Sequence, residues 1–125
     1  MGGSWKVWFI GKRGENMIIL HFNLKKEWFD KIDRKEKSHE YREVKKHWMQ
    51  RLNRFIENPN LITECKEDGF PILAFFKNGY QKNAPEFMCE VLSVKIINGL
   101  NTDLKIDCDV YDIELDLNTK VWYNA

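Results

Sequence analysis

Apolar and polar residues alternate along this chain with two different periods, and each change of period marks an element. Ile18, Leu20, Phe22 and Leu24 share one parity, while Ile19, His21 and Asn23 share the other. That is the pattern of a largely buried strand, with His21 read as an interior histidine rather than a base. Over Lys25–Asp33 the period lengthens, and Trp28, Phe29 and Ile32 make one apolar helical face. A short strand is predicted over Ser38–Val44. Val44, Trp48, Leu52, Phe55 and Ile56 then recur at helical spacing, with Lys46, Asn53 and Arg54 opposite. Asn58-Pro59-Asn60 stops this second helix, since proline cannot continue it.

The remainder reads as strand. Ile72–Lys77 is an apolar run bounded by Gly69 and Gly79, and Phe87–Ile97 is followed by the turn signal Asn98-Gly99. Val110–Leu117 alternates strictly, with Tyr111, Ile113, Leu115 and Leu117 inward and Asp112, Glu114 and Asp116 outward. The acidic row is the wet face of an antiparallel strand rather than a metal site. The order β-α-β-α-β-β-β gathers helices early and strands late. It predicts an α+β domain: a small, curled or closed, mixed or antiparallel sheet with two helices packed beside it.

Length and composition narrow the class. The 125 residues fit one domain, taken as 17–125, and 10 of them are Pro or Gly against 43% hydrophobic. Disorder and low complexity are thereby disfavoured. Residues 1–16 stand apart as an added tag, an alternative start or an extra strand, since Met17 directly precedes the first strand pattern. No apolar run approaches the roughly 18 residues of a membrane-spanning helix. No secretory leader is visible, and the odd number of widely spaced cysteines (Cys65, Cys89 and Cys108) suggests reduced thiols, a cytoplasmic location and no zinc site. The net charge of +1 hides an uneven distribution. Lys25–Arg54 carries eleven Lys/Arg against six Asp/Glu, whereas Asp107, Asp109, Asp112, Glu114 and Asp116 cluster late. A basic third in a neutral chain is either a local anion-binding surface or a solvated helix face.

Three groups carry candidate chemistry. In Lys37-Ser38-His39-Glu40-Tyr41-Arg42, strand alternation puts Ser38, Glu40 and Arg42 on one face and His39 and Tyr41 on the other. Arg42 offers a planar donor fork and Glu40 an acceptor for amines, with Lys37 beside them. The plainer alternative is an exposed Glu40–Arg42 ion pair of little consequence. On the second helix Lys45 and Arg51 flank Trp48, with His47 on the same rim. Cations around an aromatic can hold a base and its phosphate, or simply snorkel at the edge of a core tryptophan. In the third group, Lys77 to Pro85, Asn78 offers a base-edge contact and Tyr80 is either an exposed stacking residue or a lid. No phosphate loop, nucleophile elbow or cofactor motif occurs, so no cofactor is expected.

In their order and spacing these stretches resemble ASCH domains, the PUA-like β-barrel modules. Ile18–Asp30 resembles their first strand and helix. Lys35-Glu36-Lys37-Ser38-His39-Glu40-Tyr41-Arg42 follows their Gly-x-Lys-x-x-Glu-x-Arg motif, with Lys35 in place of the glycine. Lys45–Leu52 and Phe76–Pro85 resemble the small single-domain members found in phage and bacterial genomes. The resemblance implies a barrel with a cleft between barrel and helices, lined by Lys37, Glu40 and Arg42. It also implies that the cleft binds RNA or a modified nucleoside or nucleotide. Some members hydrolyse the acetyl amide of N4-acetylcytidine with a lysine, a threonine and a glutamate. Here Lys37 matches the lysine, Glu40 stands at the threonine position, Ser38 is the nearest hydroxyl, and Glu86 and Glu90 are candidates for the remaining carboxylate. The expectation is therefore a binding domain with ligand contacts from Lys37, Glu40, Arg42, Lys45, Trp48, Arg51, Asn78 and Tyr80. An amidohydrolase using Lys37 and Glu40 is the alternative, and a ribonuclease a weaker one. A protein-docking module contacting its partner through residues 1–16 is a third class. A monomer without metal or membrane partner is expected.

Overall fold

The computed structural model describes residues 18–124, with backbone only at 123 and 124; the proposed N-terminal extension, 1–16, lies outside them. Five strands and three helices follow in the order β1 (Ile19–Leu24), α1 (Lys26–Asp33), β2 (His39–Glu43), α2 (Lys46–Glu57), α3 (Leu61–Glu67), β3 (Leu73–Asn78), β4 (Glu86–Asn98) and β5 (Asp109–Asn124). The α+β class read from the sequence is the class observed, with one helix added. The α3 helix begins two residues after Pro59, and its seven residues bury only Ile62. A helix that short repeats too few apolar positions to announce itself.

The strands form one mixed sheet in the order β1-β3-β4-β5-β2. The β1 and β3 strands run parallel, and every other pair is antiparallel. A parallel β1–β3 pair needs a crossover, and the chain spends α1, β2, α2 and α3 on it. The long β4–β5 hairpin carries register shifts near Phe87, Cys89 and Leu92. Such bulges bend a strand and tighten its twist, and here they curl the sheet into a half-barrel. Its edge strands, β1 and β2, are not paired to each other.

The concave side is filled by one core. Leu20 and Phe22 of β1, Phe76 of β3, Phe87 of β4 and Ile113 of β5 meet Ile32 of α1 and Leu52 and Phe55 of α2. A column of stacked rings runs inward from α2: Trp48 on Phe22 and Phe22 on Phe76, each with centroids 5.1 Å apart. Leu73, Phe75 and Met88 form a smaller buried cluster with Ile19. His21 is not interior. It shares the parity of Ile19, is exposed, and lies 5.5 Å from the Phe75 ring. The alternation was legible, but an edge strand leaves the outer ring of β1 in water.

Candidate functional site

The end of α1 sets up the site. Beyond Asp33 the chain closes a Schellman turn, in which Lys35 N donates to Ile32 O at 3.0 Å and Glu36 N to Lys31 O at 2.8 Å. This turn needs a left-handed residue, and Lys35 takes φ +62°. That is the position where the motif described above carries glycine. The turn delivers Lys37 to the start of β2, which pairs with β5 from His39↔Glu114 to Glu43↔Val110.

An open cleft of about 410 Å³ lies between the two edge strands. Asn23 and Leu24 line it from β1, Lys25 from the junction with α1, Trp28 from α1, and Lys37, Glu40, Tyr41, Arg42 and Glu43 from β2 and its lead-in. Lys45 and Trp48 enter from the start of α2, and Asp103 and Leu104 from the loop between β4 and β5. Glu40 is the unusual member. It occupies an inward position opposite Ile113 and is 5% exposed, where an apolar residue is the rule. Arg42, two residues on and on the same face, donates to Glu40 Oε2 from Nε at 2.8 Å, and its Nη2 lies 2.7 Å from the same oxygen in an ion pair. The Arg42 guanidinium also covers the Trp48 and Phe22 rings, at 5.1 and 5.3 Å. Burial pushes the Glu40 carboxyl above the ordinary range, and the Asp103 charge adds to this. The charges of Arg42 and Lys37 and the Arg42 hydrogen bond oppose it.

Lys37 is ion-paired with Asp103, and its side chain is only 10% exposed. Its ammonium lies 4.7 Å from the Tyr41 ring and 5.7 Å from the Trp28 ring. These four residues wall the main cleft off from a second hollow of about 290 Å³, whose lining adds Lys31, Glu36, Ser38 and His39. There His39 Nδ1 sits 2.6 Å from Asp112 Oδ1, with the His39 and Tyr41 rings nearly parallel at 6.1 Å. Burial first, and then the neighbouring carboxylates, push the Tyr41 phenol up.

Asp103 is held by its loop. Gly99 lies where an added Cβ would stand 2.7 Å from the Ile106 carbonyl oxygen. Asn98 Oδ1 accepts from Leu100 N at 2.8 Å, and the buried Thr102 hydroxyl donates to Gly99 O at 2.8 Å. These contacts fold the connection back so that Asp103 reaches Lys37.

Of the residues expected from the sequence, Lys37, Glu40, Arg42, Lys45 and Trp48 converge on the main cleft. The Glu40–Arg42 pair exists with its carboxylate buried and its guanidinium partly buried rather than fully solvated, and Trp48 serves both core and cleft. Ser38 lines only the second hollow. Arg51 is turned to its own helix, donating to His47 O at 2.8 Å. Asn78 and Tyr80 lie outside the lining, and Tyr80 is 89% exposed, so it is no lid. Its turn is instead tied to β1, where Asn23 Nδ2 donates to Gly79 O and Asn23 Oδ1 accepts from Gly79 N. Neither Glu86 nor Glu90 lines the cleft, and Lys66 lies 3.0 Å from Glu90. The further carboxylates there are Asp103 and Glu43. Sequence reasoning missed Asp103, Trp28 and Tyr41. Only the turn at Asn98-Gly99 hinted that the loop after it is built rather than slack.

Among the described residues no group of three or more His, Cys, Asp or Glu is placed to hold a metal, and no helix is long and apolar enough to cross a membrane. Compared with protein-family models, with curated proteins and with solved structures, the chain finds no match.

Proposed function

We propose that the cleft binds the base of a nucleotide or of single-stranded RNA, with phosphate held at its rim. The observation that carries this reading is the buried Glu40 carboxyl paired with the partly buried Arg42 guanidinium at the floor of a cleft walled by Trp28, Tyr41 and Trp48. Among the described residues, Arg42 is the hydrogen-bond partner of the Glu40 side chain, and both its hydrogen bond and its ion-pair contact are to Oε2. Oε1 is left as an acceptor, and the guanidinium keeps further donors. An acceptor beside donors matches the edge of an unpaired base, and single-stranded bases are read by such edge contacts between aromatic walls. Lys25 and Lys45, both exposed at the rim, supply the charge a backbone needs. The volume is that of a small-molecule pocket. The resemblance of Lys37, Glu40 and Arg42 to the ASCH motif points the same way, and Lys35 holds the conformation its glycine would take.

A second reading, hydrolysis of an N4-acylated cytidine, draws on the raised pKa of the Glu40 carboxyl within a cleft. Ser38 lies outside that cleft, and Lys37 is engaged by Asp103, so the binding reading is preferred.

Titration calorimetry with cytidine and guanosine monophosphates and a short single-stranded RNA tests the proposal, alongside an assay for acetate release from N4-acetylcytidine. Binding is expected, weakened about tenfold or more by Glu40→Gln and made less salt-dependent by Lys45→Glu. Tyr80→Ala is expected to leave it unchanged. Failure of every nucleotide and RNA to bind overturns the reading. Acetate release lost in Glu40→Gln replaces it with the hydrolase.

A further inference from the structure

Lys37, Glu40, Arg42 and Asp103 meet at the floor of the cleft, two cations against two carboxylates, and each has a partner: Arg42 with Glu40, Lys37 with Asp103. A cleft that grips phosphate at its floor leaves a cation unpaired there, because the ligand is to be its counterion. Here the most enclosed cation, Lys37, already has one, supplied from a loop that Gly99 and Thr102 hold in place. The cations that line the cleft away from the floor, Lys25 and Lys45, are exposed, and the Lys45 contact with Glu43, 3.4 Å long, is open to water and so holds its charge only weakly.

We propose that Asp103 is a specificity-determining residue: by ion-pairing with Lys37 it cancels the anion affinity of the floor, so that the floor accepts an uncharged head with a donor beside an acceptor, of the cytosine or guanine type, and excludes phosphate. The orientation of the ligand follows, base inward and phosphate outward. The choice of a base rests on the function proposed above, whereas the exclusion of phosphate does not. Removing the Asp103 charge leaves Lys37 enclosed with no counterion of its own, since Glu40 is bonded to Arg42. Such a charge recruits an anion.

The experiment compares the wild-type protein, Asp103→Asn and Asp103→Asn/Lys37→Gln, each titrated with inorganic phosphate and separately with cytidine, followed by NMR of the backbone amides. Asp103 is in a loop with its side chain 40% exposed, so the substitution leaves the core intact. In the wild type, phosphate is expected not to compete with cytidine. In Asp103→Asn, phosphate affinity is expected to rise by about tenfold or more, with shifts at residues 37–42. The double variant is expected to lose the gain. Equal phosphate affinity in wild type and Asp103→Asn overturns the role of Asp103, as does phosphate displacing cytidine from the wild type. A phosphate gain in Asp103→Asn with no cytidine binding by any variant upholds the charge cancellation and instead sinks the nucleotide reading.

Discussion

Arg42→Ala removes the only hydrogen-bond partner that the Glu40 side chain has among the described residues, from a site where that side chain is 7% exposed. An unpaired buried carboxylate is costly, but its cost at neutral pH has a ceiling, because the group can protonate instead. An ordinary glutamate titrates near about 4.3, and each pH unit up to 7 adds about 1.36 kcal/mol, so the ceiling is about 3.7 kcal/mol. The charge of Lys37 recovers part of this. The guanidinium also covers the Trp48 and Phe22 rings, a contact of about 0.5–1 kcal/mol that is lost at every pH. The wild type already bears part of that ceiling, since its paired Glu40 is itself raised, so the expected destabilisation is about 1–3 kcal/mol at pH 7 and about 0.5–1 kcal/mol near pH 4. The direction follows from proton binding. In the wild type the folded-state pKa of Glu40 already lies above its unfolded value, so the native state holds more protons between the two and stability falls as pH rises through that window. Loss of Arg42 moves the folded value higher and extends the window upward. Urea unfolding at a series of pH values, followed by tryptophan fluorescence, measures the difference. Between Glu40→Gln and Glu40→Gln/Arg42→Ala, which both lack the carboxyl at position 40, the difference in stability is expected to be independent of pH. A pH-independent cost in Arg42→Ala, or one below about 1 kcal/mol at pH 7, refutes the assignment of Glu40 as a buried, desolvated acid.

Three further outcomes follow from the geometry. Lys35→Gly is expected to stabilise the protein by about 0.5–1 kcal/mol, since relief of the left-handed conformation at φ +62° outweighs the added freedom of the unfolded chain; destabilisation in a denaturant titration counts against the Schellman turn. Gly99→Ala is expected to cost about 1–3 kcal/mol and to shift the amide signals of residues 37 and 103 together, because its Cβ meets a backbone oxygen that cannot turn away; a shift confined to 98–108 would show that the loop does not position Asp103. Thiol labelling of the folded protein is expected to modify exposed Cys108 first and to spare Cys89, which burial pushes up to about 12, until the chain unfolds; labelling of Cys89 as fast as Cys108 would contradict the core placement of β4.

Much of the site was legible because strand alternation is a local property. Two residues apart means one face, so Glu40 and Arg42 had to project together wherever β2 was placed. Their burial was not legible, and it reverses their meaning: a solvated pair contributes little, whereas an enclosed one polarises a cleft. Trp48 shows the same division. Its place in the apolar stripe of α2 is a matter of helical spacing, but the stack on Phe22 and the guanidinium above it arise only where the folded sheet brings β1 and β2 to that face of α2. Tyr80 and Arg51 have suitable chemistry but lie outside the cleft lining, since nothing local says which rim of a sheet a turn or a helix face occupies.

By itself the sequence determined the parity of β1, β2 and β5, the apolar faces of α1 and α2, the breaks at Pro59 and Gly99, and hence the α+β class. These follow from steric and burial preferences acting over a few residues. The tertiary structure decided that β1 pairs with β3 rather than with β2, that the half-barrel stays open between its edge strands, and that Asp103 reaches Lys37 across 66 positions of chain. Such contacts depend on the summed burial of a whole core and on where bulges bend the sheet. No short window of sequence contains that information.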